Sequence, residues 1–373
     1  MSEELTCVSQ YGNYPSRPVP RLRADWSHAT RRLIAGALCV ACAGALFVPD
    51  AALAAEWVNV DGTQYNAGTA VGDEAGTWNW DGADDMKLNG YNGGAIKAKG
   101  KLNIAYEGKN TVKTEPDYTG AAIKAQDGTS QKAELNITSS NSTDELNVTA
   151  EADAIKSTGD LSISGPGTVN TTSTASDGIE AKGNLSITGS GTVNATGGTE
   201  GIQSKGKTTI DSSGTVIAKG GEGYGIAAGG DLIIKGGGKV EASSIGEAAI
   251  WADDGINISG GSQVEASSRE TLAVDTDGSL TVADASLNAS GVEYGVYGYK
   301  GIALDHATVT VRTNGAAAKL SHSSPTGTTS SSKMVPSWTR SQKESSQLRS
   351  LPETTSPTSR VAISTSATPL SRL

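Results

Sequence analysis

The chain has 373 residues, with 40 acidic against 30 basic side chains, 47 glycines, one phenylalanine and three cysteines. That much glycine excludes a helical bundle, since each helical Gly costs up to about 1 kcal/mol. The charge is uneven: residues 55–319 hold 34 acidic against 19 basic side chains, so this body repels nucleic acid and anionic membranes and takes an anionic polymer poorly unless cations bridge the two.

In chain order, the first element is Arg31-Arg32, then the apolar run Leu33 to Phe47, then Ala52-Leu53-Ala54. These are the positive, hydrophobic and small-x-small parts of a secretory signal. The run is too short for a membrane span, which needs roughly 20 residues. Residues 1–54 are therefore expected to leave as a signal peptide with a long n-region, cut after Ala54. The mature chain is then secreted, extracellular or held at the cell surface, with no membrane insertion. Cys7, Cys39 and Cys42 all fall in the removed part, leaving no thiol, disulfide or thiolate metal site.

Residues 55–90 hold Trp57, Trp78 and Trp80, followed by Met86-Lys87-Leu88, and lie outside the pattern that follows. They are expected to form an N-terminal cap over an exposed sheet end. A sugar site is the sharper reading of these tryptophans.

Residues 91–319 repeat one unit: a small residue and Ile, a Gly-bearing turn, a Leu-x-Ile pair, a Gly-rich turn and a Val. The Ile position recurs as Ile96, Ile123, Ile155, Ile179, Ile202, Ile226, Ile250, Val274 and Val296. Such a period marks a solenoid, in which each repeat buries its apolar face only against its neighbours. Alternation of apolar and polar residues makes each short run a strand. Three strands per step with no helical period predict an all-β, right-handed, single-stranded parallel β-helix of about nine coils with ~24-residue repeats. Its second inward row runs through Leu102/Ile104, Leu135/Ile137, Leu161/Ile163, Leu185/Ile187, Ile210, Leu232/Ile234, Ile256/Ile258, Leu280/Val282 and Ile302/Leu304. The third is read as Val112, Val148, Val169, Val193, Val216, Val240, Val264, Leu287 and Val309. The long step from Ile123 to Ile155 places an insertion at Gln126–Ala133.

On the outer surface, Asp153, Asp177 and Glu200 share the position two before the Ile. Stacked carboxylates repel unless a cation separates them, and oxygen-only ligands suit Ca²⁺; the plainer alternative is a solvated acidic row. Trp251 and Tyr297 follow the Ile position two coils apart, Tyr224 and Tyr294 precede it, and Tyr299 lies close by. Flat rings along a solenoid face are platforms for sugar rings, or else packing beneath turns. A hydrolase needs converging carboxylates, for which Asp253/Asp254 and Asp275/Asp277, one coil apart, are the candidates unless they are plain turn residues. A lyase needs a strongly basic side chain, and the repeats offer two arginines, Arg269 and Arg312.

From about Leu320 the composition shifts to 16 Ser and one Gly, in the middle of a tenth coil that begins Gly315-Ala316-Ala317-Ala318-Lys319. Residues 320–373 read as a disordered Ser/Thr-rich tail, and the switch inside a repeat points to out-of-frame translation. Leu351-Pro352-Glu353-Thr354-Thr355 is one residue off a sortase signal, and no apolar span follows it.

The unit Gly-Ile-x-Ala-x-Gly-x-Leu-x-Ile-x-Gly-x-Gly-x-Val, as in Gly178–Val193, resembles secreted bacterial proteins with a pectate-lyase-like right-handed β-helix. More narrowly, it is similar to non-catalytic carbohydrate-binding β-helix domains of bacterial surface proteins. Thr77-Trp78-Asn79-Trp80 and Leu88 to Gly94 look like the lead-in of such domains. The resemblance implies binding of a plant-type polysaccharide or surface glycan, with Ca²⁺ as the one candidate cofactor, and carries over no catalytic residue. The expectation is a secreted, adhesin-like, non-enzymatic carbohydrate binder acting as a monomer. The alternatives are a β-helix polysaccharide lyase or glycoside hydrolase, and a structural surface spacer.

Overall fold

The computed structural model describes residues 54–127 and 133–313, with the backbone of two further strands, Ala316–Leu320 and Ser359–Ser364. The expected signal segment with its cysteines, the centre of the Gln126–Ala133 insertion and most of the expected tail, Leu351 to Thr355 included, lie outside the described residues. Among those described there is no helix, and the strands form three sheets of 12, 12 and 11 strands. The chain visits the three sheets in turn, about nine times at about 24-residue spacing, as a parallel β-solenoid.

The first sheet stacks Ile96, Ile123, Ile155, Ile179, Ile202, Ile226, Ile250, Val274 and Val296 in unbroken register. None is more than 3% exposed, and each such side chain stabilises the fold by about 1.5–3 kcal/mol. The row follows from period 2 within each strand and from the stacking of like β-branched residues. The second sheet stacks the Leu and Ile rows from Leu102 and Ile104 to Ile302 and Leu304. Thr208 takes one Leu place and is fully buried, its hydroxyl 2.7 Å from that of Ser204.

The third sheet corrects the expected row. Val112 pairs with Val148, but Val148 pairs with Thr171, while Val169 stands over Leu146. Each strand here has two inward places two residues apart, and in the first coils the leading place belongs to Asn110 and Leu146. Asn110 hides the pattern because it is polar yet fully buried. Its Oδ1 accepts the Tyr91 N–H at 3.0 Å, and its Nδ2 donates to the Glu107 carbonyl at 2.9 Å. A buried amide is tolerated when its partners are in place.

The cap is built from two pieces. The hairpin Trp57–Val60 and Thr63–Asn66 runs antiparallel onto Ile96–Lys99. Val71–Gly72, Trp78–Trp80 and Asp85–Asn89 form a meander whose last strand lies parallel to Leu102–Glu107. Trp80 is fully buried and its Nε1–H donates to the Ala83 carbonyl at 3.1 Å; Trp78 is 7% exposed, its ring 5.4 Å from that of Tyr65. These two rings plug the solenoid end and offer no face to a sugar. Ala54, the expected cleavage point, bridges to Lys101, and Ala55 beside it is buried. At the other end Ala316–Leu320 adds a tenth parallel rung to the first sheet, and Ser359–Ser364 lies antiparallel to Thr308–Thr313.

Turns between the second and third sheets need glycine for two reasons at once. Gly189 has φ +99°, and a Cβ there would lie 2.6 Å from the carbonyl oxygen of Gly165, its counterpart one coil earlier. L-residues avoid that conformation, and no side chain fits between coils a strand spacing apart.

Candidate functional site

The residue after each inward Ile faces outward, so the first sheet carries one external row in register: Lys97, Lys124, Lys156, Glu180, Gln203, Ala227, Trp251, Asp275 and Tyr297. Beside it, at the turn two residues before each Ile, run Asp153, Asp177, Glu200 and Tyr224. Backbone bonds of 3.0 Å from Ala154 N to Asp177 O, Gly178 N to Glu200 O and Gly201 N to Tyr224 O tie these rungs together. The two rows form a face that is basic at its start, acidic in its middle and aromatic at its end.

In the middle, the expected acidic ladder forms, but its closest cluster differs from the one expected. The carboxylates that meet within 4.8 Å of one another are Asp153, Asp177 and Glu180, all buried. Glu200 instead shares a carboxyl–carboxyl hydrogen bond with Asp177. Asp153 Oδ1 accepts the Ser176 hydroxyl at 2.5 Å and the Asp177 N–H at 3.3 Å. One coil on, Asp177 Oδ1 accepts the Thr199 hydroxyl and, at 3.2 Å, the Glu200 N–H. Each acid thus closes the turn above it.

The cation of this cluster is a lysine. Lys156 Nζ lies 2.7 Å from Asp153 Oδ2 and also pairs with Glu180, which Lys182 contacts from its other side. Burial disfavours the Lys156 ammonium, but its bonds to Asp153 and Glu180 outweigh that and hold its pKa above the ordinary lysine value. Burial likewise works against ionised Asp153, yet the Lys156 and Ser176 bonds keep its pKa below the carboxylate range. Asp177 behaves oppositely. Burial, then the hydrogen bond and charge of Glu200, push its pKa up to about 7. This donor set does not suit Ca²⁺, which asks for six to eight free oxygens: Lys156 already supplies the charge, and Asp177 holds its proton to near neutrality.

At the aromatic end, Tyr224 and Trp251 stack with ring centroids 5.4 Å apart and planes 24° from parallel. Trp251 pairs in register with Asp275, and Asp275 with Tyr297. Both Tyr224 and Trp251 are half-buried, so one edge of the pair stays open to solvent. Burial, then the charges of Asp277 and Glu247, raise the pKa of Asp275. Tyr294 holds the same register place three coils beyond Tyr224, there as the first residue of the strand Tyr294–Gly298, and Tyr299 is 50% exposed past that strand. The structure therefore brings Tyr224, Trp251 and Tyr297 onto one strip with Asp275 between the last two. Asp253, Asp254 and Asp277 are exposed turn residues.

A groove that sequence reasoning missed lies at the other end of the face. Its volume is about 940 Å³, and it is bounded by the cap hairpin (Trp57, Asn59, Gln64), by Asn92–Ala95, by the loop from Lys113 to Tyr118 and by Lys97 and Lys124. Lys97 Nζ stands 4.5 Å from the centre of the Tyr118 ring, a cation–π contact. Burial, then the charges of Lys156 and Lys97, lower the pKa of Lys124. Its legible signal is the dipeptide Ile-Lys, which recurs at residues 96, 123 and 155. A second, smaller groove of about 320 Å³ on the third sheet includes Arg312.

Residues 97–228, about a third of the chain, match the model of a family described as carbohydrate-binding domain-containing protein. Searches of curated proteins and of solved structures found no match. The matched stretch spans the lysine rungs, the acidic row and Tyr224, and ends before Trp251.

Proposed function

We propose that this chain is a secreted or cell-surface, adhesin-like β-helix that binds polysaccharide without catalysis, through the outer face of its first sheet. The observation that carries the reading is the strip Tyr224, Trp251, Asp275 and Tyr297, on a solenoid whose earlier coils match a carbohydrate-binding family. The rings supply flat apolar faces and polar edges, and Asp275 is an acceptor for sugar hydroxyls held between them. The expected signal ending at Ala54 supports secretion.

A hydrolase reading draws on one observation, the Asp177–Glu200 pair, because a carboxyl held protonated near neutrality is the form a general acid needs. Burial counts against it. Asp177 is 5% exposed and its Oδ1 is engaged by Thr199 and Glu200, so a polysaccharide cannot reach its proton without opening the turn.

A glycan array probed with and without Ca²⁺, alongside assays for released reducing sugar and unsaturated uronate, tests the proposal. Binding without turnover is expected. Turnover supports the hydrolase or lyase reading, and silence in both leaves a structural spacer.

A further inference from the structure

The groove beside the cap differs in charge from the rest of the body. Lys97 and Lys124 stand on neighbouring rungs in register, so their backbones lie about 4.8 Å apart. The next rung, Lys156, is neutralised by Asp153 and Glu180. Among the described residues Lys97 and Lys124 form no ion pair, although Asp61 and Glu115 line the same groove. Stacked like charges raise the energy of the folded state. Here the cost is visible in Lys124, whose ammonium is disfavoured by burial and by both lysine neighbours.

The groove also has what a sugar ring needs. Trp57 and Tyr118 present aromatic surface, Gln64 is a carboxamide that can both donate to and accept from hydroxyls, and the volume of about 940 Å³ admits more than one ring. Tyr118 is fixed against Lys97, so the ring and the charge are presented together.

We propose that this groove binds an acidic saccharide residue, its carboxylate or sulfate ester held directly by Lys97 and Lys124 with no bridging metal. The inference rests on the carbohydrate-binding reading but concerns a different site from the Trp251 strip. It also reverses locally the expectation that the acidic body rejects anionic glycans: those two ammoniums act at contact, whereas the surrounding carboxylates are screened over about 8–10 Å at physiological salt.

The test is calorimetric titration of the full chain, in EDTA, with three ligands on one backbone: cellotetraose, its C6-oxidised glucuronate form and its C6-sulfated form. Both acidic forms are expected to bind in EDTA at least about tenfold more tightly than cellotetraose, since a charged hydrogen bond contributes about 1.5–3 kcal/mol. K97Q/K124Q is expected to remove that preference, and K97R/K124R to retain it. A preference for the glucuronate form alone, or for the sulfated form alone, supports the site and identifies its anion. Equal binding of all three ligands, an acid preference that survives K97Q/K124Q, or acid binding that needs Ca²⁺ overturns the proposal. If cellotetraose binds and the acidic forms gain nothing, the inference fails alone. If no array glycan and none of the three ligands binds, the carbohydrate reading fails with it.

Discussion

Asp177 makes the stability of the solenoid depend on pH in an unusual direction. Its carboxyl is 5% exposed and its pKa rises from 3.8 to about 7, through burial first and Glu200 second. Below pH 3.8 the group is neutral whether the chain is folded or not, and costs nothing. Between 3.8 and 7 the unfolded chain ionises while the fold keeps its proton, so stability falls as pH rises. Above 7 both states are ionised and the loss is complete. Three pKa units correspond to about 4 kcal/mol, an upper bound because Glu200 shares the proton. Asp177→Asn keeps the acceptor oxygen for Thr199 and the Glu200 N–H and supplies N–H donors toward Glu200, but cannot ionise. Urea unfolding at pH 4 to 8, followed by circular dichroism, should show the parent losing several kcal/mol across this window and the variant losing much less. Asp275, also raised by burial, leaves the variant a residual slope of the same sign. Asp153, whose pKa is lowered, acts the other way and only below about pH 4. Equal slopes in parent and variant, or a parent that gains stability between pH 5 and 8, would refute the reasoning.

The remaining expectations concern packing and the ring strip. Trp251→Ala should weaken glycan binding about tenfold, the cost of about 1–2 kcal/mol for a lost stacking ring, while changing the unfolding midpoint little because Trp251 is half-exposed. Trp80→Ala should do the reverse, costing about 3–5 kcal/mol of stability as a large cavity in the cap, read from the same urea curves. Gly189→Ala should cost about 2 kcal/mol or more, combining a left-handed φ with a Cβ driven against the Gly165 carbonyl. A neutral result there would mean that the turn relaxes freely between coils.

The inward rows were legible because a solenoid repeats its core: Ile96 to Val296 could be counted off, and each stands where its spacing put it. Legibility failed where one residue broke the alternation. Asn110 occupies an apolar place at the third sheet's start, satisfied by the Tyr91 N–H, and the row of valines was misread by two residues in its first two coils. The acidic row was legible as Asp153, Asp177 and Glu200, but its cation was not. Lys156 and Glu180 lie outside that spacing, on the adjacent row, and only pairing of neighbouring coils brings them in. Tyr224 and Trp251 were placed on two different rows; that their rings stack depends on side-chain directions that period alone does not encode. The groove was hidden more deeply still. Its far wall is the cap hairpin folding back antiparallel onto Ile96–Lys99, a pairing with no repeat to announce it, and the net acidity of the body masked the Ile-Lys rungs.

Among the described residues, the external row carries charge of opposite sign at its two ends with no ion pair. Lys97 and Lys124 stand at its start; Asp275, repelled by Asp277 and Glu247, stands near its end. Six rungs separate Lys124 from Asp275, which at strand spacing is about 29 Å. Between them Lys156, Asp153, Glu180 and Lys182 cancel one another, so neither end's charge reaches the other through a screened medium. A short oligosaccharide can therefore occupy one end at a time, and lesions at the two ends should affect different ligands with no coupling. A polymer long enough to span both engages a second site at high effective concentration, and its loss on either lesion should exceed that of the short ligand by the same factor. Comparing K97Q/K124Q, W251A and their combination on tetrasaccharide and on polymer separates the two regimes. Identical losses for both ligand lengths would mean that the face works as independent sites, and that the unbroken register from Lys97 to Tyr297 serves the core alone.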